Sequence, residues 1–320
     1  MSTREPRRVH AQQARARTFQ VAAGRIGAMV SLISVATVAA VIVLDSASPT
    51  HPAAPVATAP PSPRPAATST SRTTAPGGTA SVPILVYHVI NPQPAASSAS
   101  PALYVPPDEF SSHMQALKAA GWHAVTLNQL AAYWTRGVPL GPGKPIVLTF
   151  DNGYASQYAN ALPVLRNLGW VGVEDLQLTG LPPSEGGLTD TQIRGLISAG
   201  WELDTQGISH TDLTTVDPAQ LTNETATARQ MLSSRYGVPV NWFSYPSGDY
   251  NPSVIAAVRA AGYLGATTVN PGWASPGEDR FVLPRLVVMS GTTPSQLLAQ
   301  IASAQSSTSV PATYTGVGVA

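Results

Sequence analysis

The chain contains no cysteine, and of its 320 residues only 7% are aromatic and 11% charged. The missing thiols exclude disulfide scaffolds, cysteine-ligated zinc and thiol catalysis. The few charges are unevenly spread. Residues 1–25 hold six arginines and one glutamate, a net +5, whereas residues 81–320 hold ten Lys/Arg and fifteen Asp/Glu, a net −5. An acidic globule lacks the basic footprint that phosphate backbones need, so nucleic acid is excluded as the expected partner.

Charge disappears altogether from Ile26 to Leu44, nineteen residues bracketed by Arg25 and Asp45. That length suits one membrane-spanning helix of about 20 residues. The arginines before it predict a cytoplasmic N-terminus and an exported remainder. The expected location is therefore the cell membrane, single-pass, with the C-terminal domain extracytoplasmic. The alternative is a signal peptide cleaved near Ser46-Ala47-Ser48, for which the leader and the apolar run are both long. Residues 46–80 comprise 8 Pro, 12 Ser/Thr and 9 Ala, a composition with almost nothing to bury, and read as an extended tether. At about 3.1 Å per residue its limit is on the order of 110 Å. The chain thus divides into a basic arm (1–25), a signal-anchor (26–44), a disordered tether (45–80), a folded domain (81–305) and a flexible tail (306–320).

Within the folded part, short apolar runs alternate with amphipathic segments. Strands are predicted at Val82–Tyr87, Trp122–Leu127, Ile146–Phe150, Trp201–Asp204, Trp242–Tyr245, Leu264–Val269 and Val282–Val288, while Glu174 and Asp175 leave Val171–Leu178 ambiguous. Helices are predicted at Pro107–Ala120, Asn128–Trp134, Ser156–Leu168, from Thr189 to Gly200, and at Asp217–Tyr236, Pro252–Ala261 and Pro294–Ser303. About seven strand–helix units predict an α/β fold, a distorted barrel of parallel strands. Barrels of this kind carry their chemistry on loops at the C-terminal ends of the strands. Four polar clusters fall at such ends: Tyr87-His88, Asp151-Asn152, Gln206 to His210, and Tyr245-Pro246. Asp-Asn-Gly is also ordinary turn chemistry, but a carboxylate directly after an apolar strand can serve as a general base. A loop histidine such as His210 is by itself more often a surface residue, and His88 by itself a satisfied core residue. His51, His113 and His123 read as tether, helix-surface and strand residues.

Five segments in order carry a family resemblance. They are Val82–His88, Leu148-Thr149-Phe150-Asp151-Asn152-Gly153-Tyr154, Glu202–Leu213, Phe243–Asn251 and Phe281–Arg285. Residues 82–289 resemble a polysaccharide deacetylase with a NodB homology domain, carbohydrate esterase family 4, in the circularly permuted branch that includes deacetylases of poly-N-acetylglucosamine. The resemblance implies an acetylated polysaccharide as partner and a divalent, zinc-like metal held by one Asp and two His. It implies Asp151 as base, His88 as acid and the Tyr245 backbone N–H as oxyanion donor, with Tyr245, Pro246 and Arg285 at the substrate groove. The implied reaction is hydrolysis of N-acetyl, or O-acetyl, groups of a cell-wall or extracellular glycan.

The chain departs from the family at the metal. Its Asp position is Asn152, the first His position is Gln206, and only His210 keeps a family ligand. Amide oxygens are poor replacements for carboxylate and imidazole, so metal binding is expected to be weak or lost. Asp204 lies two residues before Gln206, on the same face of a continuing strand, and offers a substitute carboxylate if the backbone differs from the family's. The alternative to hydrolysis is therefore a catalytically impaired homologue that binds or regulates glycan.

Overall fold

The computed structural model describes residues 76–94, 100–181, 185–305, 311 and 313–315. The arm, the span at 26–44 and nearly all of the tether lie outside the described residues. Among the described residues, no helix is long and apolar enough to cross a membrane.

A nine-stranded sheet organises the domain. The strands are β1 (Val82–Tyr87), β2 (Trp122–Val125), β3 (Lys144–Asn152), β4 (Val173–Leu176), β5 (Glu202–Thr205), β6 (Trp242–Ser244), β7 (Gly265–Thr267), β8 (Trp273–Ala274) and β9 (Leu286–Val287). They run in the order β7-β6-β5-β4-β3-β1-β8, with β2 also on β3 and β9 also on β1. All pairings are parallel except that of β8 with β1. A bridge between Thr267 and Leu283 sets the segment leading into β9 alongside β7, so the sheet curls toward closure. This is the expected distorted barrel. The ambiguous stretch is strand β4, and β8 was not anticipated.

Helices α1 (Pro107–Ala119), α2 (Leu127–Arg136), α3 (Leu162–Leu168), α4 (Asp190–Ser198), α5 (Pro218–Thr222), α6 (Ala228–Tyr236), α7 (Pro252–Ala260) and α8 (Pro294–Ala304) connect the strands. Local signals start several of them. Thr126, Thr189 and Thr293 each form a reciprocal capping box with the glutamine three residues on, which satisfies otherwise orphaned amides. The long helix predicted over 217–236 runs as α5, a wide turn at Asn223–Thr227, and α6.

Because side chains alternate across a strand, the buried strands feed hydrophobic clusters on both faces. Ile84, Val147, Val173 and Trp242 share one cluster on the concave side, while Leu85, Leu148, Phe150 and Trp201 belong to another under the helices. Burial on both faces explains why β1 and β3 read as unbroken apolar runs. The same alternation carries Thr149 and Asp151 onto the concave side with Val147.

At the N-terminal pole, Gly78 N donates to the Tyr133 carbonyl at 2.8 Å and Trp134 Nε1 donates to the Ala80 carbonyl at 2.9 Å. This ties the approach to β1 onto the end of α2. The C-terminal tail was expected to be flexible. Its described part is docked: Tyr250 and Tyr314 form an antiparallel bridge, with N–H to carbonyl bonds of 2.9 and 3.0 Å. The Tyr250 hydroxyl also donates to the Pro311 carbonyl at 2.6 Å.

Candidate functional site

Strand β3 ends in Asp151, 1% exposed, and the chain turns at Asn152 with φ of 77°. Gly153 continues the turn, and a Cβ there would lie 2.2 Å from Leu176. Asp151 is therefore held at the barrel mouth by backbone that tolerates little change. Its partner is Arg285, the side chain of which is fully buried. The guanidinium donates to both carboxylate oxygens, Nη1 to Oδ1 at 2.7 Å and Nη2 to Oδ2 at 2.8 Å. Ser244 Oγ adds a 3.1 Å bond to Oδ2. Burial pushes the Asp151 carboxyl up, but Arg285, with help from His88 and Ser244, outweighs it and holds the acid below its usual range. Asp151 is an anion, and a weak base.

His88 follows β1, is 4% exposed, and has a buried Nδ1 without a hydrogen-bond partner among the described residues. Burial lowers its pKa to about 4; Asp151 opposes this, and Arg285 and His210 reinforce it. The imidazole is neutral near pH 7. His210 is half-buried and also lowered by burial, against the pull of Asp151 and Asp249. Its loop is built from below by Glu224, which accepts from Ile208 N (2.7 Å), Ser209 N (2.9 Å) and Ser209 Oγ (2.6 Å). The fold thus gathers His88, Asp151 and His210, as the order of the strand ends predicted.

The implied metal can be tested against these donors. The Nε2 of Gln206, an amide donor, lies 3.5 Å from both Asp151 Oδ2 and His210 Nε2. The amide group thus stands between them, in the space that a cation would share. The Gln206 Oε1 is buried without a partner among the described residues. Asn152 Nδ2 donates to Gln177 Oε1 at 2.9 Å, which ties this side chain to a neighbouring loop. Among the described residues, no group of three His, Cys, Asp or Glu is placed to hold a metal ion. The donor set does not fit a divalent ion.

Several expected roles need correction. Asp204 is no substitute ligand, because its Oδ1 accepts from the Asn241 and Trp242 amides at 2.8 Å each, at the start of β6. Its electrostatic neighbours are Glu202 and Asp175, whereas His210 senses Asp151 and Asp249. The Tyr245 N–H is taken by the Thr267 carbonyl at 3.3 Å and its phenol donates to the Phe281 carbonyl at 2.9 Å. That amide is not free for an oxyanion. Tyr245, Pro246 and Arg285 are all buried. His113 is no surface residue: it is fully buried between the Tyr87 hydroxyl and the Thr292 carbonyl.

Sequence reasoning missed Asp175. It stands in register with Asp151 on one side and Asp204 on the other, and Arg285 Nη1 reaches its Oδ2 at 3.3 Å. Burial first, then the charge of Asp151, pushes its carboxyl well above the usual range, with Arg285 opposing. One guanidinium serves two carboxyls, so Asp175 keeps its proton and Asp151 loses it. The signal was visible as the acidic pair that interrupts an apolar run.

Comparisons with known proteins agree with this architecture. Residues 140–266 match the polysaccharide deacetylase family. The chain is 29% identical over 224 residues to YxkH of Bacillus subtilis (strain 168), a curated protein provisionally named a polysaccharide deacetylase, covering 70% of this chain and 77% of that one. It resembles the solved structure of the deacetylase PplD from Streptococcus pyogenes, in complex with acetate, with TM-score 0.63, 26% identity, and 70% and 99% of the two chains covered. A provisionally assigned polysaccharide deacetylase from Bacillus anthracis, BA0330, gives TM-score 0.61 and 26% identity over 70% of this chain and 69% of that one. On these matches, and on a curled, mostly parallel sheet with Asp151 and His88 at its mouth, the chain resembles the polysaccharide deacetylases in sequence and fold.

Proposed function

We propose that the chain is a membrane-anchored, extracytoplasmic member of this family that binds an acetylated cell-wall or extracellular glycan at the barrel mouth, with hydrolysis lost or slow. One observation carries the reading: Gln206 joins Asp151 to His210 through an amide group where the family places a metal. A site of this kind offers hydrogen bonds to a sugar and its acetamido group but no Lewis acid to polarise the carbonyl. The provisional assignment of YxkH and the acetate in PplD support an acetylated glycan as the ligand class. The anchor rests on the uncharged run from Ile26 to Leu44 and the arginines before it. The test is binding of acetylated chitooligosaccharide, peptidoglycan fragments and acetylxylan with and without a chelator. Binding that ignores the chelator, without acetate release, supports the reading; no binding to any wall polymer refutes it.

The second reading is hydrolysis of N-acetyl or O-acetyl groups by the same site. It is favoured by the intact trio of Asp151, Arg285 and His88. Here Asp151 would take the proton of an attacking water and the His88 imidazole would assist departure of the amine. Acetate release that Asp151→Asn abolishes would establish it.

A further inference from the structure

Beside the mouth, three loops meet over the end of β3. Val89 bridges Tyr104, which brings the 101–105 segment against the exit of β1. From the other side comes the connection between β4 and α4, carrying Glu185. The Tyr104 hydroxyl donates to Glu185 Oε1 at 3.1 Å, and Asn91 Nδ2 lies 3.5 Å from Oε2. Asn91 is itself fixed, its Oδ1 accepting from Asn160 Nδ2 at 3.1 Å. Beneath them lies the half-buried Tyr154, two residues past Asn152. The segment after Glu185 lies along it: Tyr154 bridges Gly187, Ala155 N donates to the Gly186 carbonyl at 3.1 Å and Leu188 N to the Gly153 carbonyl at 2.9 Å. Glu185 thus stands next to a segment that packs along the turn following Asp151.

Charge determines what such a wall selects. The carboxylate of Asp151 is cancelled by Arg285. Glu185 has no described Lys, Arg or His within ion-pair distance. It is half-buried and held by two donors, and a carboxylate can accept more bonds than these. It belongs to a domain of net charge −5 over residues 81–320. The complement to an oriented carboxylate among sugar hydroxyls is an ammonium group. Resting on the glycan-binding reading above, we infer that the arch of Asn91, Tyr104 and Glu185 is a subsite for a hexosamine whose amine is free. That unit would neighbour the acetylated sugar held at the mouth, so the preferred polymer is a partly de-N-acetylated one.

The experiment compares two oligosaccharides of equal length, one fully N-acetylated N-acetylglucosamine and one partly de-N-acetylated, by calorimetric titration of the full-length chain at pH 6. A charge-assisted bond at a half-buried carboxylate should favour the partly de-N-acetylated ligand by about three- to ten-fold at low salt. The preference should shrink in 0.5 M NaCl through screening. In Glu185→Gln the two affinities should converge to within about two-fold, since the isosteric amide keeps hydrogen-bond capacity but no charge. Tyr104→Phe, which removes a donor that orients the carboxylate, should weaken the preference in a second background. Equal affinities in the unmodified chain, or a preference that survives Glu185→Gln, overturn the inference while leaving glycan binding intact. Failure of both ligands to bind overturns the glycan-binding reading and the inference with it.

Discussion

Replacing Arg285 by methionine tests the electrostatic reading of the mouth most directly. The guanidinium is fully buried and bonds the Thr268 carbonyl, Thr149 Oγ1, Ser244 Oγ, both oxygens of Asp151 and one of Asp175. Methionine fills much of the volume but strands an anion 1% exposed. Breaking a buried pair by removing one partner costs about 3–5 kcal/mol. The loss must depend on pH, and its sign follows from the remaining groups. Without Arg285, burial is the dominant influence on Asp151, so its folded pKa rises above the unfolded value of about 3.9. A raised carboxyl pKa contributes no penalty below the unfolded value and a growing one as pH climbs toward the folded value. The deficit of Arg285→Met against the unmodified chain should therefore be largest at pH 7.5 and smaller at pH 4.5. Urea unfolding at both pH values measures it. Adding Asp151→Asn should recover part of the loss at pH 7.5, because the stranded charge is gone, giving a coupling energy above about 1 kcal/mol. A deficit below about 1 kcal/mol, equal at both pH values and additive with Asp151→Asn, would refute the claim that this ion pair governs the mouth.

Asn152→Asp with Gln206→His should create a site for one tightly bound divalent ion at His210, whereas neither change alone should, since three protein ligands are needed; metal analysis of the purified variants decides it. Asp175→Asn should stabilise the fold, because a carboxyl with raised pKa costs stability as pH rises above its unfolded value. The gain over the unmodified chain should be about 1–3 kcal/mol near pH 7.5 and smaller near pH 4, and equal gains at both values would contradict it. In Gly265→Ala the new Cβ would lie 2.3 Å from Trp242 and 2.4 Å from the Arg280 carbonyl, so thermal unfolding should show a loss of about 1–3 kcal/mol.

The gathering of His88, Asp151 and His210 was legible because it needs only that consecutive strands be parallel, and runs such as Ile146–Phe150 declare that by burying both faces. What stayed hidden depends on long-range pairing. Arg285 lies 134 residues from Asp151 and His113 lies 179 residues from its carbonyl partner at Thr292. The spacing of Phe110, Met114 and Leu117 marks the core face of α1 but says nothing of a distant carbonyl beside it. Asp204 misled for a local reason. Strand β5 stops at Thr205 and Gly207 turns with φ of 99°, so the simple alternation of faces does not carry through Gln206. The Tyr245 amide could be assigned only once β7 was known to lie beside β6. Strand β8, two residues long, is too short to carry any periodicity.

The docking of residues 78–80 against Tyr133 and Trp134 fixes a polarity for the whole domain. The chain enters at the pole where β1 begins, and β1 runs six residues before reaching His88, a separation of about 17–20 Å at the rise of an extended strand. Every parallel strand points the same way, so the loops holding Asp151, Gln206 and His210 all open at the far end. The mouth therefore lies at the pole opposite the one where residues 78–80 dock.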